Sequence, residues 1–175
     1  MYDSRVELRE AILMRKSVRS WAPGQIETEK LRRVLEAARL APSARNDQEW
    51  RFVVVTDPET RRRIGEAARN QAFVAAAPAV IACCAETDKH LMRCGQPAYV
   101  VDTSIAVDHL TLAAVEEGLG TCWIGAFDAD AVHAILGIPP EVEIVALLPI
   151  GYPSDPSQAR KSRLPLDQIV RYEHW

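Results

Sequence analysis

Apolar positions recur along this chain with two periods, near 3.6 and near 2, and the change from one to the other marks out the elements. Residues 5–14 place Val6, Leu8, Ile12 and Leu13 at helical spacing, a short amphipathic helix with four residues on offer to a core. Residues 28–40 repeat that spacing through Leu31, Val34, Leu35 and Ala38 with charges opposite, and Thr28 stands where a cap is expected. The continuous apolar runs at residues 50–55 and 79–85 predict two buried strands. Between them, Asp57-Pro58-Glu59 supplies a capping acid, a proline for the first helical position and an acidic first turn, so a helix over 58–68 is expected. A shorter helix follows over 70–77, and Pro78 ends it.

Residues 86–97 are polar, contain Gly95 and Pro97, and read as a loop. Residues 99–118 then form the most apolar helix of the chain, with Val100, Val101, Ile105, Val107, Leu110 and Val115 covering nearly every side. A helix apolar all round is buried, and in a chain this small part of that burial is expected against a second subunit. Gly118-Leu119-Gly120 ends it, and residues 121–125 predict a third strand. Asp128 caps a helix to residue 136, residues 142–150 make a fourth strand, and a tail with Ile169, Val170, Tyr172 and Trp175 closes the chain.

Composition narrows the class. With 175 residues, 48% hydrophobic and 26% charged, the chain has the make-up of one ordinary globular domain spanning 1–175, with a core that needs no disulfide or metal. No apolar run is expected to span a membrane, the first residues do not resemble a secretory signal, and a cytoplasmic protein is the expectation. A net charge of -3 argues against a general nucleic-acid binder and toward a small-molecule partner. Cys83, Cys84, Cys94 and Cys122 contain no C-x-x-C pair and read as reduced and structural. His90 and Cys94 lie four apart, but no second pair of ligands makes a metal site of them.

Three stretches could carry chemistry. Arg15-Lys16-Ser17-Val18-Arg19 sets three cations and a hydroxyl within five residues, either solvated decoration or a grip on a phosphate dianion. The loop before the first strand holds Pro42, Ser43, Asn46 and Gln48. Its planar amides suit the edge of a heterocycle, and an Asx-turn is the plain alternative. Arg160-Lys161-Ser162-Arg163 is a second basic run, while Arg61-Arg62-Arg63 reads as a solvated helix face. There is no Gly-x-Gly-x-x-Gly after a strand and no Gly-x-Ser-x-Gly, so neither a dinucleotide fold nor acyl transfer is indicated, and the chemistry must come from a cofactor.

Taken in order, Arg-x-Ser-x-Arg at 15–19, Pro-Ser-x-x-Asn-x-Gln-x-Trp at 42–50, Gly-Leu-Gly-x-x-Trp-x-Gly at 118–125 and Lys-x-Arg at 161–163 resemble the nitroreductase family of FMN-dependent oxidoreductases. The resemblance implies an α+β fold, a mixed and mainly antiparallel four-stranded sheet flanked by helices, whose C-terminal tail adds a strand to the partner subunit. It assigns Arg15, Lys16, Ser17 and Arg19 to the FMN phosphate and ribityl chain, with Lys161 and Arg163 closing from the opposite side. Pro42, Ser43, Asn46 and Gln48 would meet a flavin held mainly by the other chain of a homodimer. The backbone around Ile124 and Gly125 would face the reactive ring nitrogen. No catalytic side chain is implied, because hydride from NADH or NADPH would pass through the flavin to a nitroaromatic, quinone or similar acceptor by a ping-pong mechanism. A family member that fragments flavin or removes halogen reductively, or a non-catalytic flavin-binding protein, is the alternative. Glu49 replaces the proline common in the family, and the short stretch 86–97 implies an open site.

Overall fold

The computed structural model describes residues 6–157 and 161–175. Arg5, in the first predicted helix, and Arg160, in the second basic run, lie outside the described residues. Four strands, β1 (Trp50–Val55), β2 (Ala79–Ala85), β3 (Gly120–Thr121) and β4 (Glu143–Gly151), form one sheet in the order β1-β2-β4-β3, each neighbour antiparallel. β2 is buried at every residue and reads Ala-Val-Ile-Ala-Cys-Cys-Ala, small side chains that let helices close on both faces. Burial pushes the Cys84 thiol up to about 11 and the Cys83 thiol further still, so both stay protonated and inert.

Strand alternation divides the core in two. Ala79, Ile81 and Cys83 of β2 and Ala146, Leu148 and Ile150 of β4 face α2 (Thr28–Arg39) and α5 (Ala98–Glu116), where Val34, Ala38, Ala106, Leu110 and Ala114 meet them. Val80, Ala82, Cys84 and Leu147 face α3 (Pro58–Ala67), α4 (Ala72–Ala76) and α6 (Ala129–Leu136) through Ile64, Val74 and Val132. The predicted caps Asp57 and Asp128 accept from Thr60 N and Ala131 N. Thr28 does not cap α2, because the helix already begins there and Glu27 holds the cap position without a side-chain bond.

Several expectations change. In α1 (Leu8–Met14) only Ala11 is buried, while Leu8, Ile12 and Leu13 stay 66%, 50% and 47% exposed, so the apolar face offered to a core is left largely uncovered by the described residues. Arg61 is not a solvated side chain. It turns inward to the carbonyls of Thr56, Ala75 and Ala77 and ties α3 to the end of α4, while Arg62 pairs with Glu59 and Glu66. By length and composition α5 could cross a membrane, contrary to the expectation that no run would, but Ala106, Val107, Leu110 and Ala114 are fully buried in the fold. Its other side is open: Val100, Val101, Ile105, Asp108 and His109 line a groove of about 430 Å³. The third strand is two residues long rather than five, with Ile124 making only an isolated bridge to Leu147. The helix α7 (Leu166–Ile169) is exposed throughout.

Candidate functional site

The end of α5 positions one half of the site. Glu117 caps the helix, Gly118 takes a left-handed φ of 73°, Gly118 N donates to Val115 O at 3.0 Å and Leu119 N to Ala114 O at 2.7 Å. These crossed bonds satisfy the last carbonyls and reverse the chain so that Gly120 and Thr121 run along β4. A Cβ on Gly120 would sit 2.4 Å from Val18 Cγ2, so glycine is needed for the segment after α1 to lie alongside. That segment docks through Val18 N to Thr121 O at 2.9 Å and a parallel bridge between Ser17 and Thr121. Arg15, Lys16 and Ser17 are thereby fixed at the β3 edge of the sheet.

The two basic runs meet there. Arg15, Lys16 and Ser17 together with Lys161, Ser162 and Arg163 line one cavity of about 280 Å³, although they are some 140 residues apart in the chain. Lys161 donates to Ile12 O at the last turn of α1, a favourable place for a cation. Desolvation first, then the charges of Arg15 and Arg163, hold its ammonium below the usual lysine range. Cations gathered against their own repulsion are a donor set for an anion. Lys16 is partly committed, since its Nζ donates to Asp155 O at 2.8 Å and Ser157 O at 2.6 Å. Arg19 stands outside the cavity lining, its guanidinium over the Phe73 ring at 5.8 Å.

From this edge the chain passes Ile124, buried, to Gly125, exposed, where a Cβ would meet nothing within 4 Å. Among the described residues nothing packed against Gly125 requires a glycine, and its bare backbone fits the close approach of a flat ligand.

The loop with Pro42, Ser43, Asn46 and Gln48 enters β1, at the opposite edge of the sheet. Three strand spacings of about 4.8 Å put roughly 14 Å between these edges, so the loop and the cation cluster do not line one cavity. The loop is built rather than slack. Ala44 N donates to Asp102 Oδ2 at 3.0 Å, which gives that buried acid of α5 its role, and Gln48 N donates to Ser43 Oγ at 3.1 Å. Arg45, Asn46 and Gln48 take positive φ values of 53°, 60° and 52°. Three such residues within four positions are costly, which marks a shape held for use. Asn46 and Gln48 are exposed. Gln48 Nε2 donates to Asn46 O at 3.0 Å, but the Asn46 amide makes no bond of the Asx-turn kind among the described residues. Sequence reasoning missed the loop's anchor, though an acid inside so apolar a helix was the signal.

The Nitroreductase family model matches residues 12–99 and 69–152 of the chain. An NADH dehydrogenase of Thermus thermophilus is 34% identical over 196 aligned positions, covering 94% of this chain and 95% of that protein. An FMN reductase [NAD(P)H] of Bacillus subtilis is 31% identical, covering 95% of this chain and 74% of that protein. Among solved structures, the NADPH:FMN oxidoreductase of Vibrio harveyi complexed with NAD+ superposes with a TM-score of 0.86 at 26% identity, over 96% of this chain and 77% of that one.

Proposed function

The chain belongs to the nitroreductase family, and from that premise we propose that it works as a homodimer passing hydride from NADH or NADPH to a quinone, nitroaromatic or similar acceptor. It is an enzyme, an FMN-dependent NAD(P)H oxidoreductase, like the relative named FMN reductase [NAD(P)H]. The observation that carries this reading is the cavity shared by Arg15, Lys16, Ser17, Lys161, Ser162 and Arg163. Its donor set suits the phosphate of FMN: paired guanidinium N–H groups, ammonium groups and hydroxyls for a dianion. Lys161, Arg163, Arg15 and Ser17 would hold the phosphate, and Arg19, outside the cavity lining, would serve the ribityl chain. Gly125 leaves its backbone bare beside the ring.

Bound FMN supplies the hydride acceptor and donor; the residues of this chain bind it, orient it and set its surroundings. Ile124 and Gly125 present backbone to the ring. Asn46 and Gln48 of a second copy present amides to its polar edge, with Pro42 and Ser43 fixing the loop that bears them. The separation of loop and cations on opposite edges of one sheet supports an active site shared between two chains. So does the apolar surface that one chain leaves bare: Leu8, Ile12 and Leu13 of α1, Val100 and Val101 of α5, and Leu164, Leu166, Ile169, Tyr172 and Trp175 of the tail. The tail reaches the partner and adds a strand to its sheet. The stretch 86–97 leaves the pocket open, and reductant and acceptor use it in turn.

Steady-state kinetics test the shared pocket. Parallel double-reciprocal lines for NAD(P)H against a quinone are expected; intersecting lines with a detectable ternary complex refute it. Removal of the residues after Arg163 should cost the dimer and the FMN together. A truncated chain that stays monomeric, folded and fully loaded contradicts the shared site.

A further inference from the structure

Glu49 is the residue that the family pattern did not lead us to expect, and it is only 7% exposed. Its Oε2 is sealed from solvent and has no hydrogen-bond partner among the described residues. A carboxylate left in that state is costly unless something of opposite charge answers it. Two side chains from the loop after β2 come to it. A carboxylate oxygen of Glu49, one of Asp88 and a ring nitrogen of His90 all lie within 4.8 Å of one another.

The backbone makes this meeting firm. Trp50 pairs with Ala85 at the end of the β1–β2 ladder, and Glu86 N donates to Glu49 O at 2.9 Å, carrying the pairing one residue further. Asp88 Oδ1 then accepts from His90 N at 2.9 Å and stands 2.7 Å from His90 Nδ1, with Lys89 between them at a φ of 59°. That turn accounts for Asp88 lying beside His90. It does not account for a second acid, buried Glu49, brought to the same point.

We propose that Glu49, Asp88 and His90 bind a divalent transition-metal ion. Two carboxylates and an imidazole form a three-ligand set that leaves further positions to water. The nitrogen favours zinc, cobalt or nickel over calcium and magnesium, which prefer oxygen alone. Among the described residues, Arg45 is the cation seated on the ring. Its Nη2 stands 3.1 Å from His90 Nε2, 3.2 Å from His90 Nδ1 and 2.9 Å from Asp47 Oδ2. With its side chain 64% exposed, it can leave the ring for solvent and keep Asp47. An ion at this point ties the entrance of β1 to the loop over residues 86–97 and steadies the flank of the loop that bears Asn46 and Gln48. It takes no part in hydride transfer and requires no flavin.

The test is titration of chelator-treated protein with Zn2+ by calorimetry and with Co2+ by its visible ligand-field bands. The variants are Glu49→Gln, His90→Ala and Cys94→Ser, each checked for fold by circular dichroism. One Zn2+ per chain is expected, weakened at least about tenfold in both Glu49→Gln and His90→Ala and unchanged in Cys94→Ser. No binding to the unsubstituted protein overturns the proposal. So does binding that survives Glu49→Gln and His90→Ala together, or that falls with Cys94→Ser alone. Should one variant fail to fold, the other and the parent titration still decide.

Discussion

Replacing Lys161 by Met separates a ligand's grip from the protein's own stability, because the two should move differently. The ammonium stands with Arg15 and Arg163 in the cavity at the β3 edge, and its pKa is lowered by desolvation and by those two charges. A lysine with a depressed folded pKa costs stability while it is protonated, and the cost is relieved as pH rises through that pKa. At neutral pH the substitution removes a repelling charge but also the bond to Ile12 O at the end of α1, two effects of opposite sign, so the melting temperature of the flavin-free protein should change little. A phosphate in the cavity tips the balance. Two unit charges about 4 Å apart attract by roughly 4 kcal/mol at an effective dielectric of 20, and solvent at the rim of an open site cuts that to about 2 kcal/mol. The expected loss is about thirtyfold in FMN affinity. Quenching of flavin fluorescence gives the affinity, and riboflavin, which lacks the phosphate, is the control. FMN binding should weaken and riboflavin binding should stay as it was. Equal weakening of both, or of neither, would refute the phosphate assignment.

Gly120→Ala tests how the cavity is built: its Cβ would meet Val18 Cγ2 at 2.4 Å, so the segment bearing Arg15 and Ser17 must shift. A stability loss of about 1–3 kcal/mol and weaker FMN binding are expected, both recovered in part by adding Val18→Ala; an unchanged melting temperature would count against the close packing. Glu117→Gln concerns the helix end that feeds the same edge. Arg33, holding Glu117 through two bonds at 2.5 and 2.7 Å, is the chief cause of its lowered pKa. Such an acid contributes stability present above its unfolded pKa near 4.5 and lost as pH falls through the lower folded value. The variant should lose under about 1 kcal/mol at pH 7 and show a smaller fall in melting temperature on acidification, and an unaltered acid profile would contradict the pairing.

The sequence marks elements well where local chemistry settles them. β1 and β2 fall on the predicted residues because each is a short apolar run closed by a turn or a proline, and Asp57-Pro58 and Asp128 start their helices as expected. It does less well where a residue's partner is remote. The spacing of Leu8, Ile12 and Leu13 says they want covering, but not that this chain leaves them bare. Arg61 reads as one of three surface arginines until the carbonyls at the end of α4 claim it. The third strand stops after two residues, a length that the run from Thr121 to Gly125 does not reveal. The cation cavity was legible only through the order of motifs, since charge alone favours solvation, and Glu49 beside Asp88 and His90 was not legible at all because strand pairing makes that contact.

The central claim is that this chain holds FMN and passes to it the hydride of a nicotinamide, and one anaerobic titration addresses it. Protein purified or reconstituted with FMN should be yellow and lose its visible flavin band on stoichiometric addition of NADH or NADPH, with the colour restored by a quinone or nitroaromatic in the absence of oxygen. A colourless protein that takes up no FMN, or a yellow one that neither nicotinamide bleaches, would contradict the account.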